Sequence, residues 1–545
     1  MKFYRTALLA LVGAALLAAE PILALDKDVL TVVKYAEVIS LDPQDITDTP
    51  SEDLNRKIYE GLVDFNMSLD VVPKLAKSWE ISEDRLTWTF KLREGVTFHS
   101  GAPFNAEAVK VNFDRILNGR YKGKDLGAGR RAVNFDRILN GRYKRTSLYQ
   151  PIIKEVRVVD EYTVAFDLKQ PFGPFLNNLA HTAGLILDPS YVKDPKKNAK
   201  IKRQPSGTGP FKFEEWEPGD YVKMSAFEDY WQGKPKLKGL IYKFAPEPST
   251  RAMLVETGEA HVGQSIDTND VERLKTRDDV EMRIFPNITV YTLVVNTSDA
   301  ILGDVRVRQA LSHSVDRQGI CDKILHGNAV PAYSIISPMI NCAAGQNNMI
   351  AYDPELSKKL LAEAGWDKIG EDGIRTNAEG KRLSVELWTS SKSAIIPEAY
   401  IGFARAVGME IKLQTMDWAT LNSRIELPEE KNKAQIFMMG WSPSTGDADW
   451  VYRPLLASWL VPPMGQNQSF YRNEIVDQGI KDGMRESDNA LRKAAYEKIE
   501  EQLIADQPRI PIYSIKNLYA VRKEVKNLDI YPINFVMVNH LTYVE

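Results

Sequence analysis

The second half of this chain alternates strand patterns with helix patterns, and that alternation limits the folds open to it. Residues 289–297, TVYTLVVNT, form a nearly continuous apolar run, which is typical of a strand buried on both faces. Helical spacing of apolar residues follows, and strand and helix patterns then take turns as far as AQIFMMGW at residues 434–441. Strand, helix, strand and helix in this order predict an α/β fold with a parallel sheet.

The first half has a different pattern, because tight turns as well as helices join its strands. VLTVVKYAEVISLDP predicts a strand, and EDLNRKIYEGLVDF predicts the helix after it. Alternating apolar residues predict a hairpin in residues 75–98 and another in residues 156–171. Near the C-terminus, IPIYSI and YAVRKEVKNLDI are strand patterns that could return to the first half of the fold.

The composition excludes several classes of protein. The 545 residues are 44% hydrophobic and 26% charged, which suits roughly two to four globular domains. There are 70 basic and 73 acidic side chains, so the chain lacks the positive excess that binders of nucleic acids and anionic membranes need. We therefore expect no nucleic-acid or membrane-surface partner.

The N-terminus has the pattern of a secretory signal peptide. Lys2 and Arg5 precede Ala7–Ala19, an uncharged apolar stretch that is short for a membrane span. We expect a signal peptide over residues 1–24, cleaved after Ala24, and therefore export. Cleavage after Ala19 and an uncleaved anchor helix are the alternatives.

Cys321 and Cys342 are the only two cysteines. In an exported protein, an even pair at this separation favours one disulfide, because no cluster of histidine or cysteine completes a metal site. Two separate buried thiols are the alternative.

The stretch VNFDRILNGRYK occurs twice without a difference, at Val111–Lys122 and at Val133–Lys144. A single repetition does not indicate a solenoid or a propeller. The first copy predicts a helix that Asn105 caps and that ends at Asn118–Gly119. We interpret the extra residues, Gly123–Lys144, as a duplication at an insertion-tolerant helix end or an artefact of the recorded sequence, rather than a new binding element. Deleting them is expected to leave folding and binding intact.

The segment GWSPSTGDADW, at Gly440–Trp450, concentrates aromatic, hydroxyl and carboxylate side chains directly after a buried-strand pattern. Ligands of doubly wound sheets bind beyond the carboxyl ends of strands, where such a loop lies. Carboxylates there suit an ammonium group, and indole rings supply apolar contact at little entropic cost. The candidate ligand-binding residues, taken from this loop and from two other strand ends, are Asp447, Asp449, Trp441, Trp450, Thr445, Asn296 and Asp45.

Some of these candidates have a structural alternative. Asp447 or Asp449 could cap the next helix, because aspartate is a common N-cap. Trp441 could pack in the core. Such alternatives stay open at the level of the sequence.

No pattern of catalytic residues is present. The six histidines show no paired ligand spacing, and the sequence contains neither a G-x-S-x-G elbow nor a Walker lysine loop. We expect a protein that is not an enzyme and that holds neither a metal nor a cofactor. An exported peptide hydrolase is the alternative, which would need a nucleophile and a base.

Several segments, in a fixed order, resemble the peptide/nickel class of extracellular solute-binding proteins of ABC importers, known as family 5. The likeness runs from about Asp28 to the C-terminus and is interrupted only at the repeat. Three further segments, LKQPFGPFLNNLAH, TMDWATLNSRI and GWSPSTGDADWVYRPLLAS, look most like the glutathione-binding branch of this class. The ordered segments are LAKSWEISEDRLTWTFKLREGVTFHSGAPFNAEAV, PSGTGPFKFEEW, FEDYWQGKPKL, LVETGEAHVG, DVRVRQALSHSVDR, YDPELSKKLLAEAGW and IPIYSI.

This resemblance implies a two-lobed periplasmic binding protein fold, type II-like, with a cleft that closes about a hinge. The implied bounds are a first lobe over residues 25–70, 205–286 and 511–545, with a sub-domain inserted at residues 71–204. The second lobe would span residues 287–510.

The resemblance also implies a ligand and partners. A monomer in the periplasm would deliver a peptide or a glutathione-like solute to the membrane subunits of an ABC permease. In peptide binders of the family an aspartate of the matching loop holds the α-ammonium group, which implies Asp447 first and Asp449 second. The arginine that dipeptide binders place early in the second lobe has no counterpart here beyond Lys392, which argues against a free dipeptide as the ligand. A nickel complex, haem or a sugar is the alternative ligand within the same class.

Overall fold

The computed structural model describes residues 27–118, 144–345, 350–391 and 394–545. The predicted signal peptide, Lys392 and all but the last residue of the second repeat copy lie outside the described residues. Within these ranges, no helix is long and apolar enough to cross a membrane.

The strands of the described residues are numbered in chain order. They are β1 (Val29–Lys34), β2 (Val63–Phe65), β3 (Val71–Pro73), β4 (Ala76–Ile81), β5 (Thr87–Leu92), β6 (Ile153–Asp160), β7 (Thr163–Leu168), β8 (Phe211–Glu217), β9 (Tyr221–Ala226), β10 (Gly239–Phe244), β11 (Val262–Gln264), β12 (Val280–Val295), β13 (Ala329–Pro331), β14 (Lys368–Ile369), β15 (Arg375–Thr376), β16 (Ser384–Ser390), β17 (Glu410–Met416), β18 (Ile436–Trp441), β19 (Arg509–Arg522), β20 (Val525–Lys526), β21 (Asp529–Tyr531), β22 (Phe535–Met537) and β23 (Tyr543–Val544).

The α-helices of the same ranges are Thr49–Ile58, Ala106–Asn118, Phe175–Ala180, Pro189–Lys193, Pro195–Asn198, Pro248–Glu256, Val271–Lys275, Val305–His313, Arg317–Gly319, Pro354–Glu363, Ile395–Ala406, Trp418–Ile425, Asp449–Leu456, Glu474–Arg485 and Asn489–Asp506.

The largest sheet joins the two halves of the molecule. Its strand order is β17-β16-β18-β12-β19-β11-β1-β10-β9-β8, with β13 also paired to β19. The long strands β12 and β19 run antiparallel to each other through the middle of this sheet, and their register shifts between Pro286 and Val290. Strands β1 and β8–β11 lie on one side of the shift and β16–β18 on the other. The fold is therefore the predicted two-lobed α/β fold.

Parallel pairing occurs in both lobes, as the strand and helix alternation predicts. β16 pairs in parallel with β17 and β18, and β1 pairs in parallel with β10 and β11. β12 is the exception, because it runs antiparallel to its neighbour β18. The carboxyl end of β12 therefore lies at the opposite edge of the sheet from the carboxyl end of β18.

The predicted hairpins of the first half are confirmed. They form a four-stranded antiparallel sheet of order β4-β5-β7-β6. Trp79 pairs with Phe90 in one hairpin, and Val158 pairs with Val164 in the other. Along β5, the buried residues Trp88, Phe90 and Leu92 alternate with more exposed ones, as the sequence pattern indicates.

The helix of the first repeat copy is also confirmed in its described part. It spans Ala106–Asn118, and the Asn105 side-chain oxygen accepts a hydrogen bond from the Ala108 N–H at 3.1 Å. Val109, Phe113 and Ile116 are buried along one face. An N-cap and an apolar stripe at helical spacing are sufficient to fix such a helix.

The largest hydrophobic core runs from the four-stranded sheet into the last helices of the chain. Phe90, Phe113 and Phe166 from the sheet side belong to the same buried cluster as Tyr452 and Tyr496. The Phe113 and Phe166 rings meet edge to face with 4.8 Å between centroids, a favourable aromatic arrangement. This core holds the segment after β18 against the first half of the protein.

The predicted disulfide between Cys321 and Cys342 is wrong, and the alternative of two separate buried thiols is confirmed. Both cysteines are free and buried. They belong to different hydrophobic clusters, so each is packed among its own apolar neighbours. Burial raises the pKa of the Cys321 thiol to about 12 and that of the Cys342 thiol to about 11, which keeps both protonated and unreactive.

Candidate functional site

The loop predicted to bind a ligand leaves the sheet where the two lobes meet. Trp441, the last residue of β18, pairs with Val290 of β12. Val290 is the residue at which the pairing of β12 with β19 resumes after the register shift. We call residues 442–448 the junction loop.

A pocket of about 230 Å³ opens beside the junction loop. Tyr291 forms part of its wall and stacks on Tyr513, with 4.8 Å between ring centroids. Trp418 also lines it and has 52% of its surface exposed. Hydroxyl and thioether groups supply the rest of the side-chain surface, and no charged side chain of the described residues lines the pocket. Such a pocket suits the neutral part of a small ligand.

The two candidate tryptophans flank the junction loop in sequence, and a hydrogen bond joins them. The Trp441 Nε1–H donates a hydrogen bond to the Trp450 carbonyl oxygen at 2.7 Å, and both indoles are half-buried. The Arg453 guanidinium lies over the Trp450 ring at 5.7 Å. Neither indole lines the 230 Å³ pocket.

Asp447 forms an internal ion pair that the sequence does not reveal. Its side chain is 0% exposed, and its two oxygens accept hydrogen bonds from Arg492 at 2.5 Å and 2.8 Å. Although burial opposes the charged form, the Asp447 carboxylate holds the pKa of Arg492 above its usual range. Two charges buried together need this kind of geometry to compensate their lost hydration.

Asp449 has a similar partner one helical turn away. Both of its carboxylate oxygens accept hydrogen bonds from Arg453, the shortest at 2.6 Å, and its N–H donates to an oxygen of Asp447 at 2.8 Å. Asp447 and Asp449 are thus both occupied by arginine and buried. The reasoning that either offers a free carboxylate to a ligand does not hold in this structure.

Ser444 of the junction loop contacts a buried cluster of polar side chains from the first lobe. Its hydroxyl lies 3.0 Å from His181 Nε2, and that same nitrogen lies 3.5 Å from Glu52. Arg145 donates to Glu52 at 2.5 Å. Burial raises the pKa of Glu52, but Arg145 and then His181 outweigh this effect and lower the pKa to about 2, so the carboxylate stays charged.

The hydrogen bonds of His181 fix its role. Its Nδ1 accepts a hydrogen bond from the Ala183 N–H at 3.0 Å, so the ring proton lies on Nε2. His181 therefore donates towards Ser444 or Glu52 and is not a general base for the Ser444 hydroxyl in this arrangement. Burial holds the pKa of His181 below its usual range.

The remaining predicted residues fall in three different places. Thr445 is buried in the junction loop, and its carbonyl oxygen accepts a hydrogen bond from Asn177 at 3.1 Å. Asp45 is buried in the first lobe, where it forms an ion pair with Lys202 at 2.6 Å. Asn296 does not lie near the junction loop. Its N–H donates to the carbonyl oxygen of Gln435, the residue before β18, and the junction loop begins at the other end of that strand, about 20 Å away.

The described ranges contain no group of three or more histidine, cysteine, aspartate or glutamate side chains arranged to hold a metal ion.

Two lobes that share the long strands β12 and β19, with a pocket at their junction, define the class of two-lobed solute-binding proteins. A family model described as bacterial extracellular solute-binding proteins, family 5, middle region, matches residues 70–459. The chain belongs to this family, which confirms the resemblance drawn from the ordered sequence segments.

Individual relatives are similar to this protein over nearly its whole length. The glutathione-binding protein GsiB of Salmonella typhi is 32% identical over 525 residues, which is 95% of each chain. The oligopeptide-binding protein AppA of Bacillus subtilis, solved with a nonapeptide, is 25% identical with a TM-score of 0.76, over 95% of this chain and 99% of that one. The binding protein DppA of Helicobacter pylori, solved with the peptide STSA, is 26% identical with a TM-score of 0.75, over 95% and 98%.

Proposed function

We propose that this protein is the substrate-binding protein of an ABC importer and that it captures a peptide or a peptide-like solute such as glutathione. The observation that carries the proposal is the neutral pocket walled by Tyr291 and Trp418 at the junction of the lobes. Relatives named for binding glutathione and peptides along nearly the whole chain support it.

Capture would proceed by closure of the lobes around the ligand. The register shift of β12 next to Val290 is a natural place for bending, because strand pairing is interrupted there. A ligand that touches both lobes favours the closed form, since only that form makes both sets of contacts. The proposed lobes and the inserted sub-domain have the bounds that the sequence predicts.

The proposed location is the periplasm, after cleavage of the signal peptide near Ala24. There a monomer would hand its ligand to the membrane subunits of the permease. The protein would bind and release its ligand unchanged. The hydrogen bonds of His181 support that reading, since the serine and histidine pair at the lobe junction lacks a free base.

Thermal unfolding of the mature protein tests this function. The panel consists of reduced and oxidised glutathione, di- to pentapeptides, nickel with and without histidine, haem and simple sugars. A ligand at 100 times its dissociation constant adds about 2.7 kcal/mol to the free energy of unfolding. Stabilisation by glutathione or a peptide supports the proposal, whereas stabilisation by haem, a sugar or a nickel complex alone would replace it with one of the alternative ligands.

A further inference from the structure

Residues 172–181 belong to the proposed sub-domain of the first lobe, yet they contact the second lobe. We call them the docking segment, which contains the helix Phe175–Ala180. Gly173 precedes this helix, and its N–H donates a hydrogen bond to the Met484 carbonyl oxygen at 2.8 Å. Met484 lies in the last turn of the helix Glu474–Arg485, where carbonyl groups have no partner within the helix. The docking segment therefore supplies a hydrogen bond that the end of a second-lobe helix lacks.

Gly173 allows an approach that a side chain would prevent. A Cβ atom at Gly173 would lie 1.7 Å from the Glu486 carbonyl oxygen and 3.4 Å from Arg492 Cδ. The φ angle of Gly173 lies outside the left-handed region, so the backbone itself does not call for glycine. What requires glycine at this position is the contact with the second lobe.

The other end of the docking segment holds the junction loop. The Asn177 side chain donates to the Thr445 carbonyl oxygen at 3.1 Å, and His181 Nε2 lies 3.0 Å from the Ser444 hydroxyl. Ser442 of the same loop lines the 230 Å³ pocket. The sub-domain therefore fixes the loop that supplies part of the pocket wall.

The groups that meet at Gly173 can separate at little cost. Gly173, Met484 and Glu486 are all partly exposed, so water can reach them. Arg85 of the sub-domain forms an ion pair with Glu486 at 2.8 Å, and these side chains are 45% and 23% exposed. Partly exposed ion pairs contribute little to stability. Contacts of this kind are typical of interfaces between domains that move relative to each other.

We propose that the docking segment joins the second lobe only when the lobes close on a ligand, so that the sub-domain takes part in ligand capture. The inference rests on the proposed function. Closure would bring Gly173 against Glu486 and would bring Asn177 and His181 against the junction loop. The ligand and the docking segment then stabilise the same closed form, because each makes its full set of contacts only there. Gly173, Asn177 and His181 would be positioning residues, since they act on the ligand through the loop.

Gly173→Ala separates closure from folding. When the lobes are apart, the added methyl group is away from Glu486, whereas the closed form has no room for it. Gly402→Ala is the matched control, because a Cβ atom at Gly402 would meet nothing within 4 Å and its φ angle also lies outside the left-handed region. Arg85→Glu is a second test, since it sets two negative charges against each other without adding bulk.

Isothermal titration calorimetry measures the binding of reduced glutathione and of the di- to pentapeptides, and scanning calorimetry measures the melting temperature without ligand. Gly173→Ala is expected to bind about tenfold to a hundredfold more weakly than the unaltered protein, because overfilling a close contact costs that much. Its melting temperature without ligand is expected to be unchanged. Arg85→Glu is expected to bind more weakly by a smaller factor that shrinks at high salt. Gly402→Ala is expected to bind like the unaltered protein.

Small-angle X-ray scattering gives a readout of closure itself. The unaltered protein and Gly402→Ala are expected to contract when ligand is added, and Gly173→Ala is expected to contract less at a saturating ligand concentration.

Each contrary result has its own meaning. Equal affinity of Gly173→Ala and the unaltered protein overturns the inference while the proposed function stands. A fall of several degrees in the melting temperature of Gly173→Ala without ligand also overturns it, because the contact would then be permanent, as the shared hydrophobic core would make it. If the unaltered protein binds neither glutathione nor any of the peptides, the proposed function fails and takes this inference with it.

Discussion

Asp447→Asn is expected to destabilise the folded protein while leaving ligand affinity nearly unchanged. Arg492 is only 1% exposed, and Asp447 is the one carboxylate with which it forms an ion pair in the described chain. Asparagine keeps one oxygen for Arg492 but turns an NH₂ group towards the other guanidinium nitrogen. A buried positive charge is then left without its counter-charge.

The structure sets the size of this loss. Removing one partner of a buried ion pair costs about 3 to 5 kcal/mol. Arg492 keeps a hydrogen bond to the Gly483 carbonyl oxygen at 3.0 Å, which favours the lower end of that range. We therefore expect the free energy of unfolding to fall by about 3 kcal/mol.

Urea unfolding followed by circular dichroism and by tryptophan fluorescence measures this difference. Asp372→Asn is the matched control, since Asp372 and its partner Arg382 are 44% and 40% exposed and such pairs contribute at most about 1 kcal/mol. The double variant Asp447→Leu with Arg492→Met is expected to recover part of the loss, because it removes both charges. A loss below about 1 kcal/mol in Asp447→Asn, together with more than a tenfold loss of glutathione affinity, would refute the reasoning and restore Asp447 as a ligand-binding residue.

Two further predictions concern stability. Burial raises the pKa of Glu500 to about 7, so the folded state favours its protonated form, and stability present below pH 4.5 is lost as the pH rises through 7. Glu500→Gln should remove this loss. Urea titrations should then show that the free energy of unfolding of the variant, relative to wild type, rises by up to about 3 kcal/mol from pH 4 to pH 8. An equal difference between the two proteins at both pH values would contradict this prediction. Because Cys321 and Cys342 are separate thiols, dithiothreitol should leave the melting temperature unchanged, whereas a fall of several degrees would indicate a disulfide.

Local patterns predicted the parts of this fold that short-range physics decides. The alternation in TWTFKL and TVAFDL is read directly as paired strands with buried Phe90 and Phe166, and Asn105 with an apolar stripe is read as a helix. The near-continuous apolar runs of β12 and β18 predicted central strands correctly. These features depend on neighbours a few residues apart.

The site was harder to predict, because its contacts join distant parts of the chain. Asp447 resembles a free loop carboxylate until Arg492, 45 residues later, is placed beside it. The expectation that Asn296 lies at the junction assumes that parallel strands end at one edge, but β12 is antiparallel to β18 and ends at the other edge.

The central claim is that the lobe junction binds a peptide-like solute. The most direct test is calorimetric titration of reduced glutathione and trialanine into the mature protein and into Trp418→Ala, which removes the half-exposed indole from the pocket wall. The account predicts saturable binding of at least one of these compounds by the unaltered protein and at least tenfold weaker binding by the variant. Binding of equal affinity in both proteins would contradict the location of the site, and absence of binding both of these compounds and of the di- to pentapeptides would contradict the function.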